Sequence, residues 1–107
     1  MIQVTFTEKG KILSLRLEGH AGYAEMGKDI VCASASILAY TLATIIETFG
    51  IKSTINLGSG DTTIECEVND HQMMDVIRDS FNYAQVGYAL LAQDYPQYVE
   101  LITDAEA

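Results

Sequence analysis

Hydrophobic and polar residues alternate in two segments near the start of the chain, from Ile2 to Thr7 and from Ile12 to Glu18. Alternation of this kind is typical of strands with one buried face. The residues between the two segments, at 8–11, include a glycine and three charged side chains, so the pattern predicts a hairpin turn there. The residues of the second strand that face the core are predicted to be Leu13, Leu15 and Leu17.

A run without charged residues extends from Ile30 to Ile46. We interpret it as part of a helix from Ile30 to Phe49, with Asp29 as its N-cap and Gly50 at its C-terminal end. This helix is apolar on nearly every side, which predicts that it is buried on most sides. A membrane span is the weaker interpretation, because the run is at the short limit of the roughly 20 residues needed and lacks flanking aromatic and basic anchors.

The second half of the chain again has the pattern of a hairpin followed by a helix. Strands are predicted from Lys52 to Leu57 and from Thr62 to Val68, joined by a turn at 58–61. A helix capped by Asp70 is predicted from His71 to Gln93. Its apolar residues recur at spacings of three and four, as expected for one buried helical face. These residues are Met73, Met74, Ile77, Phe81, Ala84, Tyr88 and Leu91.

A final strand is predicted from Tyr98 to Ile102, after Pro96. The order of elements is then β-β-α-β-β-α-β. This order predicts an α+β fold in which the helices pack on a mostly antiparallel sheet. The chain has 107 residues, the length of about one domain, and no linker or repeat divides it. We therefore interpret residues 1–107 as a single small domain.

The formal net charge of −9 argues against direct nucleic-acid binding, which needs clustered lysine and arginine. This charge suits a basic partner, or solubility alone. The cysteines and histidines, at positions 20, 32, 66 and 71, match no compact ligand spacing, so no metal and no cofactor is expected. No signal peptide precedes the first strand, and we expect free thiols in a reducing, cytoplasmic compartment.

Cys32 and His20 are the candidates for chemistry. With Asp29 as N-cap, Cys32 lies at the third helical position, where unpaired backbone N–H groups and the helix dipole stabilise a thiolate. His20 follows the second strand, in phase with its outward side chains. A cysteine and a histidine within hydrogen-bond reach are the minimum for thiol catalysis. The spacing alone leaves open that Cys32 is a small core residue and that His20 is an exposed turn residue.

The loop before Asp29 contains two glycines, Gly22 and Gly27, which bracket Tyr23 and Met26. Glycine adopts backbone angles closed to other residues, so the loop is predicted to act as a lid that gates substrate. A rigid connector is the alternative. Asp29 is predicted to be primarily a helix cap, and its alternative role is to orient the histidine, as the third group of a triad does.

The run from Gly19 to Ala33 carries a more specific signal. It contains Gly-His-Ala at 19–21 and Asp-Ile-Val-Cys-Ala at 29–33, separated by a short glycine-containing loop. This arrangement resembles the ribosomal-processing cysteine protease family Prp, in which Ser36 also matches a serine that follows the cysteine. Ser34 and Ala35 depart from the alanine and valine that are common in the family, and both lie just past the cysteine.

The resemblance implies a cysteine protease of the bacterial cytoplasm, with Cys32 as nucleophile and His20 as general base. It also implies that the substrate is the N-terminal extension of large-subunit ribosomal protein 27, and that the chain forms a homodimer. The excess apolar surface of the first helix is in line with packing against the second helix or against a second copy of the chain. The alternative function is a non-catalytic ribosome-associated binding module that uses the acidic surface.

Overall fold

The structure, a computed structural model, describes residues 1–106 and contains five strands and two helices in the predicted order. The final strand is longer than predicted, and the first helix ends one residue earlier. The elements are β1 (Ile2–Lys9), β2 (Ile12–Glu18), α1 (Ile30–Thr48), β3 (Lys52–Gly58), β4 (Asp61–Glu67), α2 (His71–Asp94) and β5 (Val99–Glu106).

The strands form one sheet in the order β3-β4-β2-β1-β5. All neighbouring pairs are antiparallel except β1 and β5, which run parallel. The prediction of a single α+β domain on a mostly antiparallel sheet is therefore confirmed. The pairing of β2 with β4 places Glu18 opposite Asp61. This register brings the end of β2, where the candidate histidine follows, next to the turn between β3 and β4.

The core lies between one face of the sheet and the two helices. Alternate residues of β1 and β2 are buried on this face, as their pattern predicted, and α2 buries its predicted apolar stripe except for the half-buried Met73. Tyr88 of α2 is fully buried, and its hydroxyl donates a hydrogen bond of 2.7 Å to the carbonyl of Ala35 in α1. Burial raises the pKa of Tyr88, so this hydroxyl remains a donor that ties the helices together.

The prediction that α1 is buried on most sides is wrong. Its buried residues form a single face towards the sheet and α2, while Ile37 is 60% exposed and Tyr40 is also exposed. The reason is geometric, because one open sheet and one neighbouring helix cover only part of a helical surface. By length and composition α1 could also cross a membrane, a test that core helices of soluble proteins pass as well. The buried face consists of Val31, Ala35, Ala39, Leu42, Ala43 and Ile46.

Candidate active site

Cys32 is the third residue of α1 and is half-buried. Its Sγ accepts a hydrogen bond of 3.4 Å from the backbone N–H of Ala21. The prediction that the sulfur faces unpaired N–H groups of its own helix is wrong, because the amides of Val31 and Cys32 both donate to the side chain of Asp29. The first turn of the helix thus acts on the sulfur through the helix dipole. The N–H group that donates a hydrogen bond to the sulfur belongs to Ala21, in the preceding loop.

Asp29 is the N-cap of α1, and it also holds the loop. Its Oδ1 accepts from the amides of Val31 and Cys32 at 3.0 and 2.9 Å. Its Oδ2 accepts from Tyr23 at 3.1 Å and from Ala24 at 3.4 Å. Desolvation alone would raise the pKa of Asp29, but the hydrogen bonds from Cys32, Ala24 and Tyr23 outweigh it and lower this pKa below its usual value. The carboxylate is therefore a negatively charged clamp between the loop and the helix.

His20 lies beyond the end of β2, after Gly19, which has a φ of +93°. This backbone angle breaks the alternation of the strand, so the prediction that His20 continues the outward face of β2 is wrong. Its exposed side chain instead lines the same cavity as Leu17 and Cys32. Within residues 1–106, no hydrogen bond joins His20 to Cys32 or to Asp29. The structure therefore brings His20 and Cys32 to one site without a hydrogen bond between their side chains.

Two cavities meet at Cys32 and His20. One, of about 240 Å³, lies between the start of α1 and the turn at 58–61, and small residues of α1 such as Ala35 and Ala39 line it. The other, of about 440 Å³, lies against the loop and is lined by Met26 and Asp29. Both are open to solvent and both include Cys32 and His20. Cys32 and His20 therefore belong to the boundary that the two cavities share.

The loop at 21–28 is held at residues 21–24 and exposed at its tip. The ring of Tyr23 packs edge-on against Tyr95 and Tyr98, with centroid separations of 5.5 and 5.3 Å. Met26, in contrast, is 92% exposed. The bracketing glycines Gly22 and Gly27 have φ values of +70° and +88°, which other residues rarely adopt. Gating by this loop stays a prediction, and the tip around Met26 is the part with fewest restraints.

Cys66, in contrast to Cys32, lies in the core. It is buried in β4, and burial raises its pKa to about 11. At neutral pH it is therefore a protonated thiol, which is a poor nucleophile. Both cysteines are free. In the part of the chain that the structure describes, no group of three histidine, cysteine or acidic residues is arranged to hold a metal ion.

The sequence pattern did not identify the turn between β3 and β4 as a wall of the site. Ser59 and Gly60 line the cavity together with His20 and Cys32. The sequence signals a turn at 58–61 but carries no local sign that it lies beside a histidine almost forty positions earlier. The order of strands in the sheet was the missing information, because only the β2–β4 pairing brings these residues together.

Comparisons with known proteins bear on the family and the fold of the chain. A family model described as cysteine protease Prp matches residues 1–100. A stretch of 39 residues is 38% identical to the ribosomal processing cysteine protease Prp of Staphylococcus aureus, and covers 36% of this chain and 37% of that protein. The sequence alignment thus spans little more than a third of that curated relative.

Solved structures resemble the chain over nearly its whole length. The S. aureus ribosomal processing protease Prp, crystallised with a covalently linked product peptide, matches with a TM-score of 0.81 at 23% identity, over 96% of this chain and 99% of that one. SMU.848 from Streptococcus mutans matches with a TM-score of 0.73 at 28% identity, over 99% and 96% of the two chains. The similarity to the S. aureus structure establishes the fold.

Proposed function

The chain belongs to the family of cysteine proteases Prp, and from this premise we propose that it is a cysteine endopeptidase with Cys32 as nucleophile and His20 as general base. One observation carries the assignment. The thiol of Cys32 and the imidazole of His20 line the same two open cavities, at the N-terminus of a helix and the end of a strand. His20 is exposed, and Cys32 packs against the core but is only half-buried, so both side chains remain accessible.

The proposed reaction follows the usual course of thiol catalysis. His20 takes the proton of the Cys32 thiol as the sulfur attacks the carbonyl carbon of the peptide bond. It then gives this proton to the departing amine as the C–N bond breaks, which leaves a thioester on Cys32. A water molecule, deprotonated by His20, attacks the thioester and releases the acid and the free thiol. Catalytic hydrogen bonds commonly tighten only when substrate binds, so the open arrangement of the two residues is compatible with this role.

The loop and Asp29 support the nucleophile. The N–H of Ala21 points at the sulfur, and a donor in that place stabilises the negative charge that develops when the proton leaves. Asp29 fixes the backbone of Cys32 and of the loop together. We therefore propose that Asp29 acts as a structural clamp of the site, with no hydrogen bond to the base.

The proposed substrate is the N-terminal extension of large-subunit ribosomal protein 27, which the chain would remove during ribosome assembly in the cytoplasm. The S. aureus ribosomal processing protease Prp has been crystallised with a substrate peptide, and its fold matches this chain. The charge of −9 favours association with a basic ribosomal protein. An extended peptide could occupy the two cavities on either side of Cys32.

The test is to incubate the protein with the extended ribosomal protein and to locate any cut by mass spectrometry. We expect a single cut between the extension and the mature protein, and none with Cys32→Ala. Cys66→Ser is the matched control, because it removes the other thiol of the chain without touching the site. Cleavage by Cys32→Ala, or no cleavage by the wild type, would contradict the proposal.

The alternative function, a non-catalytic ribosome-associated binding module, is favoured by the acidic charge alone. The rate at which iodoacetamide alkylates Cys32 near neutral pH separates the two. A catalytic thiolate reacts much faster than a structural thiol. A rate no greater than that of an ordinary free cysteine, unchanged in His20→Ala, would favour the binding module.

We also propose that the chain forms a homodimer through the outer surface of its helices. Ile37 of α1 is 60% exposed, and on α2 Tyr83, Val86 and Leu90 are exposed to similar or greater extents. Apolar side chains adjacent on one surface gain free energy when a second copy covers them. Two copies of this surface could pack helix against helix about a twofold axis.

A further inference from the structure

The ring of His20 lies against the turn between β3 and β4. A Cβ atom placed on Gly60 would lie 2.6 Å from Nε2 and 2.9 Å from Cε1 of His20. Non-bonded heavy atoms pack at about 3.5–4.0 Å, so no side chain can stand at position 60 while the imidazole keeps its place. The ring thus occupies the space that any residue other than glycine would need.

A second contact fastens the same turn to the same strand end. The carbonyl of Gly60 accepts the N–H of Gly19 at 2.9 Å, one residue before the histidine. Gly60 also has a φ of +72°, which the hairpin turn requires and which glycine adopts at little cost. Gly60 therefore has two separable properties. Its backbone angle serves the turn, and its missing side chain leaves room for the ring.

We propose that Gly60 is a positioning residue for His20, an inference that rests on the proposed role of His20 as general base. In thiol and serine hydrolases a third polar group commonly orients the base. Here Asp29, whose alternative predicted role was to orient the histidine, uses both carboxylate oxygens to accept hydrogen bonds from the loop and α1. Across residues 1–106 the ring of His20 makes no hydrogen bond. The backbone surface at Gly60 confines the ring on one side and thereby limits how far it can turn away from Cys32.

The test compares Gly60→Ala with Gly10→Ala. Gly10 lies in the turn between β1 and β2, and its φ of +58° is also positive, but a Cβ there meets nothing within 4 Å. Both substitutions place an alanine at a positive φ in a hairpin turn, but only the alanine of Gly60→Ala would displace the ring of His20. Cleavage of the extended ribosomal protein gives kcat and KM, and denaturant titration gives the midpoint of unfolding. A second pair of variants, His20→Ala with and without Gly60→Ala, is compared by the alkylation rate of Cys32.

We expect similar losses of stability in the two glycine variants. In Gly60→Ala kcat should fall by about 10-fold or more with little change in KM, since a misplacement of about 1 Å can cost 10²-fold. In Gly10→Ala kcat should stay within about twofold of wild type, in line with an exposed, remote site. In the His20→Ala background, Gly60→Ala should leave alkylation of Cys32 unchanged, because there is no ring left to displace.

Equal kcat values for the two glycine variants would overturn the proposal. The proposal would also be overturned if Gly60→Ala changed the alkylation rate of Cys32 equally in the presence and in the absence of the His20 side chain. If Gly60→Ala fails to fold, the proposal is tested in the wild type instead, by the nuclear Overhauser effect between the Hα protons of Gly60 and the ring protons of His20. Its presence supports the proposal and its absence overturns it. Failure of the wild type to cleave any substrate would instead refute the proposed function, while this contact would still test the packing.

Discussion

Asp29 is bonded to the backbone of Cys32 and not to the ring of His20. Its Oδ1 accepts the amide of Cys32 at 2.9 Å, while its Oδ2 turns towards the loop and accepts the amide of Tyr23 at 3.1 Å. One carboxylate thus sets the start of α1 and the course of the loop at the same time. Any change at Asp29 should be transmitted to the nucleophile through the backbone.

The two functions of Asp29 can be separated by substitution. Asp29→Asn keeps a side-chain oxygen that can cap α1, but its amide group cannot accept from Tyr23 and Ala24. We expect α1 to persist and the amides of residues 21–28 to exchange hydrogen faster than in the wild type. Asp29→Ala should in addition lose the cap, which typically costs about 1 kcal/mol. Wild-type exchange in the loop of Asp29→Asn would contradict the clamp.

The same clamp should respond to acid. The folded pKa of Asp29 lies below its ordinary value, so its charge stabilises the fold above the unfolded pKa of about 3.9. This contribution is lost as the pH falls through the lower, folded pKa. We expect loop protection to persist at pH 5 and to fall only in stronger acid, with no such transition in Asp29→Asn. Loss of protection between pH 7 and 5 would contradict the assignment to Asp29.

Tyr23 should hold the loop through its contacts with Tyr95 and Tyr98. Aromatic pairs of this geometry contribute about 0.5–1.5 kcal/mol each beyond their buried area. Tyr23→Ala should therefore increase hydrogen exchange across 21–28, whereas Tyr83→Ala, at a tyrosine that is 77% exposed, should not.

The prediction that the loop is a lid is tested by hydrogen exchange of residues 21–28 in the Cys32→Ala protein, with and without an uncleavable peptide bound. Equal, strong protection in both states would show that the loop is no lid.

The fold followed from local pattern, and the geometry of the site did not. Alternation identified β1 and β2 and helical spacing identified α2, because one buried face leaves its period in the sequence. The uncharged run and its cap identified α1. The position of His20 depended on a single backbone angle at Gly19, which breaks the period without changing the residue types around it. The wall at Gly60 depended on the strand order, and sequence alternation cannot specify which strands become neighbours.

The errors about α1 and Cys32 have related causes. Composition showed that α1 is apolar all round, but the outward position of Ile37 depends on how much surface one sheet and one helix can cover. The N-terminus of α1 was predicted as a source of free N–H groups for Cys32. Asp29, the N-cap of α1, itself accepts hydrogen bonds from the N–H groups of Val31 and Cys32. The two predictions were therefore incompatible, and the structure contains the cap.

The two thiols should differ sharply in reactivity. Burial raises the pKa of Cys66 to about 11, so iodoacetamide at pH 8 should modify Cys32 and leave Cys66 intact in the folded protein. Cys66→Ser should keep the reactive thiol but should lower the free energy of unfolding by about 1–3 kcal/mol, the scale for burying a hydroxyl. Peptide mapping after alkylation locates the adduct. Adducts on Cys66 at the rate of Cys32 would refute the difference.

The helical surface can be tested as a dimer interface by sedimentation. Ile37→Glu should shift the protein towards monomer, because it places a charge in the proposed apolar contact. Ile12→Glu is the control, since Ile12 is also exposed but lies in β2, away from the helices. A wild type that sediments as a monomer at all concentrations would rule out the homodimer and leave the protease assignment untouched.

The most direct measurement of the central claim is the search for a peptide attached to Cys32 during cleavage. The protein is mixed with the extended ribosomal protein, quenched in acid within the first turnovers, digested and mapped by mass spectrometry. We expect the extension to be joined as a thioester to Cys32, and both the thioester and the cleaved product to be absent in Cys32→Ala. Cleavage that continues in Cys32→Ala would contradict the account.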